Sequence, residues 1–107
     1  MLEAARTAMM LARNREPDDL RRDIGLVLAL MKAIEIIGEA ASKVTIQFRD
    51  AQTEVPWAEI VGMRNRLVHV YFDINLELLW KTVIEDLPPL VTRLEAVLKQ
   101  SPDTAPQ

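Results

Sequence analysis

The sequence predicts an all-α protein, a single up-down helical bundle of about five helices, on three observations. Apolar residues recur at three- and four-residue spacing along most of the chain. Prolines and Asp/Asn breaks fall between those stretches, where helices start and stop. No segment shows the strict apolar–polar alternation of a half-buried strand.

The elements follow in order. Leu2, Ala5, Met9 and Ala12 set the period of a first helix over 2–14, and Pro17 ends it. Pro17-Asp18-Asp19 places acidic residues where the positive end of a second helix begins. That second helix is long: Ile24, Val27, Met31, Ile34, Ala41 and Phe48 lie on one side, and Leu28, Leu30, Ile36 and Ile37 fill others. A helix apolar on more than one side is covered on more than one side, mid-bundle or against a partner subunit. Gly38 interrupts it at a cost of about 1 kcal/mol against alanine, so its use is the close approach of another backbone. After the polar connection 49–55, Pro56 suits the first turn of a third helix running to residue 72. Asp73-Ile74-Asn75 breaks that helix and caps a fourth carrying Leu76, Leu79, Trp80 and Val83. Pro88-Pro89 closes the fourth and opens a fifth with Leu90, Leu94, Val97 and Leu98. The domain therefore covers residues 1–100, and the polar, proline-containing stretch 101–107 is expected to be a disordered tail.

Composition bounds the function. Of 107 residues, 50% are hydrophobic and 27% charged, an ordinary globular balance for one domain. The chain has no cysteine, which excludes disulfides and thiolate metal ligands, and its one histidine is a poor basis for a metal site. The expectation is no metal and no cofactor. The longest apolar run, residues 24–31, falls far short of the ~20 residues a membrane span needs, so a cytoplasmic protein with no membrane partner is expected. A net charge of −3 and a pI near 5.1 mean that any nucleic-acid site is local.

The chemistry concentrates in RNRLVHVY, residues 64–71, which holds the only histidine and the only tyrosine. On a continuous helix Ile60, Met63, Leu67 and Val70 form the core face, while His69 shares a stripe with Ala58, Gly62 and Asn65. Arg64 and His69 are then ~140° apart and ~7.5 Å along the axis, so they converge only if Arg64 reaches round, the helix breaks, or a second copy supplies the complement. A symmetric dimer would gather two histidines and up to four arginines, counting Arg66, into one cleft. Histidine moves protons near neutral pH and arginine neutralises a phosphate, so the set suffices for metal-independent RNA cleavage with a 2′-hydroxyl nucleophile. A structural, hydrogen-bonded histidine is the plain alternative.

Arg64-Asn65-Arg66-Leu67-Val68-His69-Val70-Tyr71 resembles the Arg-x4-His-x-Tyr motif of HepT-like proteins, a branch of the HEPN superfamily of small helical ribonucleases. Residues 37–44, 55–75 and 78–98 resemble the same family in order and spacing, so the likeness covers nearly the whole chain. The resemblance implies a HEPN-like homodimer with both copies of the motif in a shared cleft. It implies a toxin of a toxin–antitoxin pair that cleaves RNA without metal, with Arg64 and His69 catalytic and Asn65 assisting. Tyr71 matches the tyrosine to which a partner, an MntA-like minimal nucleotidyltransferase antitoxin, transfers AMP. Lys43, together with Arg49, is the candidate for RNA backbone contacts, Arg66 a supporting cation, and Glu39 a partner for Arg64 or Arg66 or else a plain surface residue. A second reading is a non-catalytic nucleotide- or RNA-binding subunit that partners the nucleotidyltransferase. A third is a structural dimer in which His69 and Tyr71 only pack.

Overall fold

A computed structural model of the chain describes residues 1–70 and 73–100, with His69, Val70 and Gln100 described by backbone alone. The elements are α1 (Leu2–Ala12), α2 (Asp19–Arg22), α3 (Ile24–Ser42), α4 (Ile46–Ala51), α5 (Trp57–Leu67), β1 (Val68–Val70), β2 (Asp73–Ile74), α6 (Leu76–Lys81), a π-helical turn (Thr82–Asp86) and α7 (Leu87–Gln100). The all-α bundle is as the sequence predicts, with α3 packed between α1 and α5 and with α7 lying against α1. The expected tail, 101–107, lies outside the described residues.

Three boundaries differ from expectation, each for a local reason. The long second helix is three helices. Asp23 and Thr45 leave the helical conformation and turn their side chains back as caps, with Asp23 Oδ1 accepting from the Leu26 N–H at 3.0 Å and Thr45 Oγ1 from the Phe48 N–H at 3.1 Å. A short oxygen side chain that satisfies an orphan N–H starts a new helix even where the apolar period runs on. The third helix stops at Leu67 rather than at residue 72, because Val68 and Val70 are β-branched and pair as β1 with β2 in antiparallel register, Val68 with Ile74 and Val70 with Asp73. The Asn75 N–H donates to the Leu67 carbonyl at 2.8 Å and closes the hairpin onto the helix end.

The fourth and fifth helices, finally, are one continuous path. Pro88 and Pro89 do not break it; they sit in the first turn of α7, directly after the π-turn. In an α-helix each ring would press on the carbonyl four residues back. The π-turn widens the helix there, with the Leu87 N–H donating to the Thr82 carbonyl five residues behind. Thr82, buried, satisfies its own hydroxyl on the Leu78 carbonyl at 2.7 Å. Asn75 does cap α6 as the sequence suggests, its Oδ1 accepting from the Leu78 N–H at 3.0 Å.

The core is built from Leu30, Ile34 and Ile37 of α3, Ile60 and Leu67 of α5, Leu79 of α6 and Leu87 of α7, all fully buried. Each such side chain stabilises the fold by roughly 1.5–3 kcal/mol. On α1 the buried positions are Ala5, Ala8 and Ala12, small enough to seat that helix closely on its neighbours. Trp57 packs inside, donating its indole N–H to the Gln52 carbonyl at 3.0 Å and meeting Phe48 edge-on. Arg49 belongs to the same region: its guanidinium donates to the Ala41 carbonyl at 2.7 Å, closing the C-terminal end of α3.

Gly38 does what its position suggested. A Cβ there would lie 3.4 Å from the Ile60 carbonyl oxygen and 3.5 Å from that of Val61, so α3 and α5 meet backbone to backbone. Alanine just fits this gap and larger side chains do not. Gly38→Ala is expected to leave stability in urea unchanged or raise it by up to ~1 kcal/mol, whereas Gly38→Leu lowers it by roughly 1–3 kcal/mol.

The Leu26 N–H and the Arg15 guanidinium at 3.3 Å hold the Asp23 carboxyl below its ordinary range, and the backbone bond is the larger cause. A carboxylate lowered in the folded state stabilises it above the unfolded pKa, and that contribution is lost as pH falls through the folded one. Asp23→Ala is therefore expected to lower Tm at pH 7, and the gap from the parent chain should close in melts run progressively below pH 4.

Candidate active site

Arg64, Asn65 and Arg66 all sit in the last turn of α5, where the negative end of the helix dipole favours cations. All three are exposed. Arg64 Nη1 lies 3.4 Å from Asn65 Oδ1, a long contact that leans the guanidinium toward its neighbour's amide. No carboxylate lies within ion-pair distance of Arg64 among the described residues. Its donors therefore remain open to an incoming anion.

The end of α5 at Leu67 changes the geometry of the motif. Of the three ways in which Arg64 and His69 could converge, the structure contains a helix break between them: Arg64 stands on helix and His69 on the backbone of β1. Tyr71 lies outside the described residues.

Arg66 goes elsewhere. Two residues from Arg64, it leaves the opposite flank of the helix. Its Nη2 donates to the Glu59 carbonyl at 2.8 Å, and its Nη1 lies 3.4 Å from where a Gly62 Cβ would stand. The small-residue stripe of Ala58, Gly62 and Asn65 is thus partly covered by Arg66 itself. Glu39 partners neither Arg64 nor Arg66; it faces Lys43 at 3.6 Å, one turn on along the exposed side of α3. Four-residue spacing brings those two together, and both stay largely exposed, so the pair adds little to stability. Arg49, bound to the end of α3, is a structural cap rather than a free cation.

A feature that the sequence did not signal lies on the Arg66 flank. A cavity of about 250 Å³ opens between α5, the π-turn and the start of α7, bordered by Arg66, Arg93, Glu59, Glu85 and Asp86. Its charged residues come from three separate segments, with no shared spacing to link them. Among the described residues, no group of three His, Cys, Asp or Glu side chains could hold a metal ion, and no helix is long and apolar enough to cross a membrane.

A family model described as Ribonuclease HepT-like matches residues 1–97. The chain belongs to the HepT-like ribonuclease family. This HepT-like chain is 39% identical over 82 residues to the Probable ribonuclease HepT of Thermococcus cleftensis, covering 77% of this chain and 74% of that protein. It is 37% identical over 97 residues to a protein of Methanocaldococcus jannaschii named as a candidate RNase, covering 91% of this chain and 89% of that one. A protein of Caldanaerobacter subterraneus, also named as a candidate RNase, is 36% identical over 83 residues, 78% of this chain and 74% of its own length. No solved structure matches the chain. The resemblance read from residues 64–71 is therefore a family membership spanning nearly the whole domain, and ribonuclease is the activity class of this HepT-like chain.

Proposed function

We propose that the chain is the toxin of a toxin–antitoxin pair, a metal-independent endoribonuclease that acts in the cytoplasm through Arg64 and His69. The observation that carries this is the exposed guanidinium of Arg64 at the end of α5, which has no carboxylate within ion-pair distance among the described residues and stands five residues before the lone histidine of a HepT-like ribonuclease chain. The RNA 2′-oxygen attacks the adjacent phosphorus as imidazole accepts the 2′-hydroxyl proton. The bond from phosphorus to the 5′-oxygen breaks, and a protonated imidazole returns a proton to that oxygen. A 2′,3′-cyclic phosphate and a free 5′-hydroxyl result. Arg64 bears the extra charge of the pentacoordinate phosphorane, and Asn65 steadies Arg64 through the contact at 3.4 Å.

One imidazole cannot be base and acid on the two opposite sides of the phosphorus at once, which favours a homodimer with two copies of His69 in one cleft. The outer face of α3 supports such a pairing, because Ile24, Leu28 and Ile36 are left 70%, 58% and 45% exposed there. Regulation follows the same chemistry. The Tyr71 hydroxyl attacks the α-phosphorus of ATP on an MntA-like nucleotidyltransferase, pyrophosphate leaves, the phenolic proton goes to solvent, and the AMP ester fills the cleft with charge and bulk.

Purified chain incubated with mixed RNA in EDTA is expected to leave cyclic phosphate ends, with Arg64→Ala and His69→Ala each lowering the rate at least about 100-fold. Intact RNA with the parent chain, once mass measurement has excluded an AMP adduct, sinks the catalytic reading in favour of a non-catalytic RNA- or nucleotide-binding subunit. Leu28→Glu is expected to shift the sedimenting mass from dimer to monomer and to abolish cleavage together with it. Full activity in a monomer would remove the shared cleft.

A further inference from the structure

The cavity beside Arg66 holds charges that do not find one another. Arg66 and Arg93 border it together with Glu85 and Asp86, yet none of the four forms an ion pair among the described residues. Arg66 gives one donor to a backbone carbonyl, and Arg93 makes no hydrogen bond among those residues. The floor between the charges is apolar, formed by the buried Ile60, Met63 and Leu90, and the rings of Pro56 and Pro89 stand at the rim. Two cations, the neighbouring carboxylates of Glu85 and Asp86 with Glu59 beside them, and an apolar floor describe a ligand with three parts: an anion, an apolar face and an edge of hydrogen-bond donors.

We propose that this cavity is a guanine-nucleotide subsite for the RNA strand, separate from the Arg64 side of the helix. Arg66 and Arg93 take a phosphodiester, the base lies on the proline rims and apolar floor, and a carboxylate of Glu85 or Asp86 accepts the N1–H and N2–H of guanine together. Guanine is the base that offers two parallel donors to one carboxylate. Adenine presents one donor beside an acceptor that a carboxylate repels, and uracil presents one donor between two acceptors. Glu59 gives the cavity a third carboxylate, so the phosphodiester is held by direct contact with the two arginines and not by the net charge of the cavity. This subsite rests on the ribonuclease reading above for its substrate but on none of the catalytic residues for its geometry.

The test uses the full chain and two dinucleotides that cannot be cut, guanosine-3′-phospho-5′-uridine and adenosine-3′-phospho-5′-uridine, each methylated at the first 2′-oxygen. Binding is followed by amide chemical shifts at low salt. The guanine compound is expected to bind about tenfold more tightly, moving the signals of Arg66, Glu85 and Arg93, because a bidentate edge contact is worth roughly 5- to 150-fold in affinity. The double variant Glu85→Gln with Asp86→Asn should bind both compounds equally. Arg93→Gln should weaken both alike and lower the salt slope by ~0.7. These positions are exposed, so the variants are expected to fold, and a circular dichroism melt checks it. Equal binding of the two compounds by the parent chain, shifts confined to other surfaces, or no binding at all would overturn the subsite. Cleavage of mixed RNA is scored in parallel: cutting without guanine preference removes the subsite alone, and guanine binding without cutting removes the catalytic reading alone.

Discussion

The arrangement hangs on the place where α3 and α5 touch backbone to backbone. At Gly38 the facing surface is not a side chain but the carbonyls of Ile60 and Val61, so the two helices are held at a separation that no rotamer change can relax. Arg64 stands one turn beyond that contact and Arg66 a little further, on opposite flanks of the same helix. Their directions are set by how α5 is seated. The motif is thus carried by a rigid stem whose fixed point is a contact between two helix backbones.

Around that stem the remaining elements solve local problems. Alanines on α1 let it close down, Asp23 and Thr45 restart helices where the chain must bend, and Arg49 closes the end of α3. The widened turn at 82–86 lets two consecutive prolines remain in a helical path. That turn also brings Glu85 and Asp86 to the rim of the charged cavity, opposite Arg66. One irregularity therefore serves both packing and the proposed recognition of a base.

Much of this was legible in the residues. Apolar spacing identified the bundle and most core positions, Asn75 showed itself as a cap, and Gly38 announced a close approach. The helix limits were less legible, because a cap acts through one hydrogen bond that the apolar period does not register. Asp23 sits inside a run that looks continuous, and Thr45 precedes Phe48, which fits the same face. Val68 and Val70 carried a signal for extended chain, but three residues are too few to stand against eleven of helix; the pairing with Asp73 and Ile74 decided it. Of the site, residues 64–71 marked the family, while the Arg66–Arg93 cavity was invisible, since only the tertiary fold brings its lining residues from α5, the π-turn and α7 around one space.

The helix stop at Leu67 also bears on how such chains can diverge. Along a helix each residue advances ~1.5 Å, and along a strand ~3.3 Å, so the backbone from Leu67 to His69 covers about twice the distance that a continued helix would give. An inserted or deleted residue before Leu67 would rotate Arg64 off its flank. One placed after it would leave Arg64 untouched and exchange the two faces of the strand. Drift in length on either side of this junction is thus filtered by different geometry, so two relatives with equal counts between arginine and histidine need not hold them equally far apart.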